Sequence, residues 1–452
     1  RLRRTWRGWV MMFDWPLRNI SDVAEFLNSK RVPLKGLDRG KRQGCYPYYG
    51  ASGIVDYIDD YIFDGTYLLI SEDGENLYSR KTPIAFKVSG KFWVNNHAHI
   101  LIEKEEGILD YLEYYFSDLD LLPYITGAVQ PKLNKKNLDS IRIPIPPKEE
   151  RLYINRVLNS FTDNIELNRQ TNQTLEQIAQ AIFKSWFVDF EPTRAKITAK
   201  QNGQDPERAA MAAISGKSLE ELDQLSPEQQ QQLKNIAVLF PDALVDSELG
   251  KIPREWKAEQ LSEYFDVKHG YAFKGEYFSD KPTENILLTP GNFRVGGGFK
   301  FNKLKYYDGP MPEDYILARN DLLVTMTDLS KQSDTLGFPA LISEVGDFKF
   351  LHNQRLGKVV GKDGEFHRYF LYFLLKSHRY RGEIVGGATG TTVKHTAPKK
   401  ILAFMHPFQG ELEGIFNMLA SSLYSKIENN LNNNKSLEML RNSLLPKLMS
   451  GE

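Results

Sequence analysis

Two basic loops carry residue types suited to nucleic-acid contact. TGAVQPKLNKKN (126–137) combines a glycine, the Gln130 amide, Asn134 and the lysines Lys132, Lys135 and Lys136. GATGTTVKHTAPKK (387–400) combines glycines, the Thr391 and Thr392 hydroxyls, Lys394, His395 and two further lysines. Lysines neutralise phosphates, while amides and hydroxyls exchange hydrogen bonds with base edges. Shorter stretches repeat that chemistry. PYYGAS offers Tyr48, Tyr49 and Ser52; ENLYSRK offers Asn76, Arg80 and Lys81; NNH offers Asn95, Asn96 and His97. Further along stand Tyr271, Phe273 and Lys274 in GYAFK, Asn292 and Arg294 in GNFR, and Asn353, Gln354 and Arg355 in HNQR. Any one of these is an ordinary solvated loop residue; the occurrence of a basic polar loop twice points to a site.

Catalytic signatures are absent from the pattern. SGKS (215–218) follows a helical AAMAAI rather than a strand, and a phosphate cradle needs strand, loop and helix in that order. Ser218 is better used as a helix cap. GGGF (296–299) lacks dinucleotide spacing. His97 and His99 alternate as strand residues and would share a face, but no third metal ligand has suitable spacing. DFK (347–349) is expected to be a hairpin end, and no Asn- or Asp-Pro-Pro-aromatic stretch of a DNA amino-methyltransferase occurs. No metal or cofactor site is expected in this chain.

The elements that position the loops are written twice. A heptad stripe runs Ile154, Leu158, Phe161, Ile165, Asn168, Asn172, Leu175, Ala179, Ile182, Trp186. Shifted by 262 residues it becomes Phe416, Ala420, Leu423, Ile427, Asn430, Asn434, Leu437, Arg441, Leu444, Leu448. Asparagines fall on asparagines, which marks an internal duplication; Arg441, in the place of Ala179, is the departure. Ahead of each stripe PLRNISDVAEF matches KAEQLSEYFDV, YLLIS matches LLVTM, and NNHAHIL matches HNQRLGK. An aromatic helix, DYLEYYF or RYFLYFLL, then precedes a loop, TGAVQPKL aligning with GGATGTTV. The expected chain is α+β. Residues 12–146 and 251–406 form two α/β heads, 147–190 and 407–450 two long helices, and 191–250 a linker of short helices. Ser218 with Glu221 and Ser226 with Gln229 are capping boxes there, and Pro227 suits a first helical position. IPIPP (143–147) is an extended connection that closes the first head.

Each seam asparagine would cost roughly 1–3 kcal/mol if left unpaired. Asn168 and Asn430 are d positions, Asn172 and Asn434 a positions, and antiparallel coiled coils set a against d. Laid antiparallel, the helices put Asn168 opposite Asn434 and Asn172 opposite Asn430. The expectation is a pseudo-twofold pair of heads on a rod of roughly 60 Å.

Bulk properties narrow the class. The 452 residues carry no net charge, so any nucleic-acid site must be local. Cys45 is the one cysteine, which rules out an internal disulfide and fits a reducing, cytoplasmic setting. No apolar run approaches the roughly 18 residues of a membrane span. The basic stretch RLRRTWRGWV ahead of Met11 and Met12 is expected to be an extension without a function of its own.

The order of YPYYGASGIVDYIDDYIFDG, FWVNNHAHIL, GAVQPKLNKKNL, IPIPP with KEERLYI, and AQAIFKSWFVDFEP closely resembles the specificity subunit of type I restriction–modification systems. SGKSLEELDQLSPEQQQQLKNIA resembles the central region of some members. The resemblance spans nearly the whole chain after residue 12. It implies two target-recognition domains reading the halves of a bipartite double-stranded DNA site. It also implies two methyltransferase subunits docked on the helices and restriction/translocase subunits joining them. S-adenosylmethionine, ATP and Mg would then belong to partners, and this chain would be non-catalytic. The alternatives are a stand-alone duplicated DNA-binding protein or inactive paralogue without a methyltransferase, and a coiled-coil scaffold, which leaves the paired basic loops unexplained.

Overall fold

YLLIS and LLVTM lie within two mainly antiparallel sheets. A computed structural model describes residues 2–5, 8–11, 15–127, 130–302, 304–328, 330, 332–342, 348–362, 366–390 and 393–451. The chain divides into a first unit, Arg1–Arg169 with Leu431–Glu452, and a second unit, Gln170–Asn430.

In the first unit the sheet order is Ala24–Phe26, Ala98–Glu103, Phe63–Ser71, Ala85–Val94, Gln43–Gly50, Gly53–Ile58. All neighbours are antiparallel except Gln43–Gly50 beside Ala85–Val94. Side chains alternate across a strand. Leu68 and Ile70 therefore join one core with Ile108, Leu112, Ile154, Leu158, Leu445 and Met449, while Leu69 joins Phe92 and Ile100 on the other face. Both faces are covered.

The second unit repeats the first four strands in the same order: Phe265–His269, Leu356–Gly361, Leu322–Thr325, Pro339–Leu341. Leu322 and Val324 face a core with Phe183, Trp186, Phe370, Phe373 and Phe416, whereas Leu323 faces Phe293, Phe350 and Leu356. In each unit the sheet thus packs onto a long-helix segment through the aromatic helix, Ile108–Asp118 or Arg368–Leu374. A second four-stranded sheet, in which Asn285–Leu288 runs parallel to Lys349–His352, has no counterpart in the sequence expectations. The connecting helices Glu191–Gln201, Pro206–Ser215, Leu219–Asp223 and Pro227–Val238 include a small core of Ala210, Met211, Leu222 and Ala237. Both capping boxes are present, and Gly216 at φ +67 ends one helix before Ser218 caps the next. SGKS is therefore a turn between helices.

The long helices run Lys148–Phe187 and Glu411–Ser450. Within the first unit Asn168 Nδ2 donates to Asn434 Oδ1 at 2.8 Å, and Asn434 Nδ2 donates to the Ile165 carbonyl at 3.4 Å. Within the second unit Asn430 Nδ2 donates to Asn172 Oδ1 at 2.8 Å, and Asn172 Nδ2 to the Ile427 carbonyl at 3.5 Å. Under the 262-residue repeat the second pair of bonds is the first pair again. Replacing Asn168 by Leu should leave Asn434 without its donor and cost about 1–3 kcal/mol in equilibrium unfolding. Adding Asn434→Leu should restore much of that loss. Strictly additive effects would refute the pairing.

Two histidines of the second unit are buried and neutral. Burial lowers the pKa of His352 from 6.5 to about 4 and that of His406 from 6.5 to about 3. The unfolded chain takes up protons near 6.5 that the native histidines refuse. Stability is therefore complete above that pH and falls as pH drops through the window from 6.5 toward those values. His406 packs against Phe187, Phe370 and Phe408. His406→Phe should flatten the acid limb in urea titrations at pH 7 and 5, with the main effect seen at pH 5.

Candidate nucleic-acid interface

The basic loops are built as the same closed hairpin. Thr126 and Lys132 exchange backbone hydrogen bonds at 2.8 and 2.7 Å, and Thr389 and His395 do so at 3.0 and 2.9 Å. The Thr126 hydroxyl donates to the Lys132 carbonyl at 3.1 Å, and the Thr389 hydroxyl to the His395 carbonyl at 3.5 Å. Gly127 and Gly390 have φ +92 and +93; a Cβ would stand 2.3 Å from the Gln130 oxygen and 2.0 Å from the Val393 oxygen. Only glycine closes this loop. Thr126–Gly127 therefore corresponds to Thr389–Gly390, which corrects by three residues the alignment with GGATGTTV. Gly386 instead lies at the end of the helix His378–Gly386.

Beside each hairpin lies a side-chain-capped turn. Asn95 Oδ1 accepts from the His97 N–H at 2.8 Å, and Asn353 Oδ1 accepts from the Arg355 N–H at 2.9 Å. The equivalent triplets are Asn95-Asn96-His97 and Asn353-Gln354-Arg355, one residue off the sequence alignment. One backbone residue then ties turn to hairpin. Glu72 N–H donates to the His97 carbonyl at 2.8 Å, and its carbonyl accepts from the Leu133 N–H at 2.7 Å. Met326 does the same with the Arg355 carbonyl at 2.9 Å and the Thr396 N–H at 3.0 Å. Asn96, His97, Gln130 and Lys132 are exposed in the first cluster; Gln354, Arg355 and His395 are exposed in the second. Thr391 and Thr392 lie outside the described residues.

Charge in the first cluster is partly internal. His97 Nδ1 sits 2.9 Å from the Asp73 carboxylate, Arg31 donates to Glu72 at 2.7 Å, and Lys132 Nζ lies 3.4 Å from Glu72. Burial opposes the Glu72 carboxylate, yet the Arg31 hydrogen bond and neighbouring positive charges hold its pKa below the ordinary value. His99 is fully buried and burial lowers its pKa. Its Nε2 donates to the Leu133 carbonyl at 2.7 Å while Nδ1 accepts from Asn28 at 2.8 Å, the pattern of a neutral ring that props the hairpin exit. In the second cluster His395 Nδ1 is 3.2 Å from the Thr327 hydroxyl. Asp328 accepts from the Ser330 and Leu336 N–H groups at 2.7 and 3.0 Å, shaping the adjoining loop.

Several expected contact residues point inward. Tyr48 is 1% exposed and its hydroxyl accepts from the Leu34 N–H. Asn292 is 1% exposed and bonds Thr289 and Asn302. Phe273 is buried against Tyr307. Asn76 pins Thr82 through both amide atoms, and Asn134 caps the helix Lys135–Asp139. The Arg80 guanidinium caps the helix Ile108–Asp118 through the Phe116 and Leu119 carbonyls at 2.6 and 2.5 Å. These side chains build loops and do not present them. Tyr49 is half-buried against Phe86 and Phe92, and burial raises its pKa. Its carbonyl accepts from Asn95 N–H, as that of Tyr271 does from Gln354 N–H, so both border the turns. Ser52, Lys81, Lys135, Lys274 and Arg294 are exposed, and half-buried Lys394 pairs in register with Asp328. No hydrogen bond among the described residues ties Lys81, Lys274 or Arg294 to a hairpin.

His97 and His99 do not share a face. His97 lies in the turn before the strand Ala98–Glu103, so it is exposed while His99 is buried. Among the described residues no three His, Cys, Asp or Glu side chains gather as a metal site. The sequence reading missed Arg31, Glu72, Asp73, Thr327 and Asp328 as partners of the loops. The doubled Thr-Gly dipeptide was the signal that could have aligned them.

Residues 12–177 match the type I restriction modification DNA specificity domain family. Over most of its length the chain is similar to type I restriction enzyme specificity subunits. It is 28% identical over 428 residues to the HindI specificity subunit of Haemophilus influenzae, covering 86% of this chain and 84% of that one. It is 25% identical over 468 residues to the MjaIX specificity subunit of Methanocaldococcus jannaschii, covering 97% and 93%. The fold resembles the type I restriction-modification S subunit of M. genitalium, with TM-score 0.53, 12% identity and 96% of both chains covered. The matched domain and these relatives support DNA recognition within a restriction system. Among its described residues no helix is long and apolar enough to cross a membrane.

The hairpin geometry yields a local test. Gly127→Ala should strain the loop by about 1–3 kcal/mol. Amide exchange should then accelerate at Thr126 and Lys132, with protection kept in the strand Phe63–Ser71. Gly390→Ala should do the same at Thr389 and His395 alone.

Proposed function

We propose that the turn-and-hairpin cluster of each unit reads one half of a bipartite double-stranded DNA target. The observation that carries this reading is the recurrence of one backbone device, the Glu72 or Met326 clamp, under different side chains. His97 and Lys132 in one unit become Arg355 and His395 in the other. A shared frame with exchanged donors suits two readers of unlike sequences. Asn96, Gln130 and Gln354 supply amides for base edges, Lys132 and Arg355 meet phosphates or guanine, and Ser52, Tyr271 and Lys394 border the surface. The reader limits are 12–146 and 251–406.

The long helices pair as an antiparallel coiled coil with pseudo-twofold symmetry, for which the two asparagine layers are the support. They dock two methyltransferase subunits, and restriction/translocase subunits complete the assembly. Exposed apolar side chains on the helices favour a partner: Tyr153 at 60% and Met439 at 72% in the first unit, and Met418 at 66% in the second. S-adenosylmethionine, ATP and Mg are bound by those partners, and this chain contributes recognition in the cytoplasm.

Replacing residues 12–146 with another member's first head should change one half of the methylated sequence and leave the other intact. Methylome sequencing of cells carrying the chimaera with its methyltransferase reads this directly. If both halves change together, the heads do not read independently.

A further inference from the structure

The two units build the junction between head and long helix from opposite chemistry. Under the 262-residue repeat Arg151 and Leu152 become Glu413 and Gly414. On the head side, Gly107, the N-cap of Ile108–Asp118, becomes His367, the N-cap of Arg368–Leu374. In the first unit Arg151 is 2% exposed and fills the junction. Its guanidinium donates to the Glu106 carbonyl at 3.1 and 2.9 Å and to the Pro146 carbonyl at 3.2 Å. Leu152 and Asn155 close the remaining space, since a Cβ on Gly107 would come within 2.9 Å of both.

In the second unit the plug is gone. Gly414 replaces the leucine, and the His367 ring rests against it, 3.4 Å from where a Cβ would stand. A cavity of about 380 Å³ remains, walled by Tyr264, Phe265, Phe370 and Phe408 together with His367 and Glu413. Tyr264, 39% exposed, provides its solvent edge. Glu413 is 2% exposed and accepts from the Gln409 and Gly410 N–H groups at 2.8 and 2.6 Å. Each carboxylate oxygen keeps a further acceptor position. Burial raises the Glu413 pKa, a penalty that a cation beside it would relieve. Aromatic faces and a buried carboxylate together attract cations and repel anions. A planar cation stacks on rings and bridges a carboxylate better than an ammonium does.

We propose that this cavity binds a guanidinium group on an aliphatic chain, the group that Arg151 supplies from within the first unit. The carrier is either an arginine side chain of a partner polypeptide or a free small molecule of the agmatine type. The site stands apart from the DNA-reading clusters, and its test does not depend on them.

Calorimetric titration of the full chain with agmatine and with acetyl-Gly-Arg-Gly-amide decides it. At least one probe should saturate a single site, with acetyl-Gly-Glu-Gly-amide inert. Tighter agmatine binding assigns a free ligand, and tighter tripeptide binding assigns a protein side chain. Tyr264→Leu keeps apolar bulk but removes a ring face, and should weaken binding about fivefold. Glu413→Arg should abolish binding, because the chain then carries its own plug. Failure of both probes to saturate overturns the proposal, as does undiminished affinity in a folded Glu413→Arg. If that variant does not fold, undiminished affinity in Tyr264→Leu overturns it alone.

Discussion

A primary amide buried or half-buried in a helical seam is tolerated where another amide faces it, and that constraint organises this chain. Asn168 opposite Asn434 and Asn430 opposite Asn172 satisfy each other while their remaining donors reach the Ile165 and Ile427 carbonyls. A one-heptad slip would set Asn172 against Leu437 or Leu423, at a cost of about 1–3 kcal/mol per stranded group. Register is therefore chosen by polar satisfaction, and the apolar layers follow. The head of each unit packs on residues at set distances from the amides, Ile154 and Leu158 in the first unit and Phe183 and Trp186 in the second.

With the helix segments fixed, duplication carries the same backbone frame into both heads. The central strands Phe63–Ser71 and Leu322–Thr325 each deliver, just beyond their ends, one residue whose N–H and C=O are divided between turn and hairpin. Because those bonds are backbone to backbone, the side chains at the clamp and on the loops are free to differ. Glu72 uses that freedom to gather Arg31 and Lys132, and Met326 places a thioether in the core instead. Recognition chemistry can change without disturbing the loop that presents it, provided the two left-handed glycines stay.

How much of this was legible in the sequence follows from where information resides. The duplication, the amide pairing, the matched central strands and the capping boxes were readable because each rests on residue spacing, within one segment or between the two copies. The hairpin alignment was not. GGATG offers several glycines, and only the φ of +93 at Gly390 together with the closing bonds to His395 shows which one makes the turn. Residue type misled at Tyr48, Arg80 and Asn292, since a hydroxyl, a guanidinium or an amide serves equally well as a loop brace. Burial separates brace from reader, and burial is a tertiary property.

The same logic explains why pseudo-symmetry breaks where it does. A loop brace such as Asn95 or Asn353 recurs because its partner is a backbone N–H that every sequence supplies. A side-chain plug such as Arg151 also uses backbone carbonyls, but its charge faces a side chain, the Glu105 carboxylate at 3.5 Å. Removing Glu105 would leave that buried guanidinium without a carboxylate partner. The second unit exchanged several members at once: guanidinium for carboxylate, leucine for glycine, and glycine for histidine. Glu413 now holds the backbone N–H groups at the start of its own helix, a role independent of the head. The helix start is thereby self-sufficient, and the space that a guanidinium spans in the first unit is lined with aromatic rings in the second.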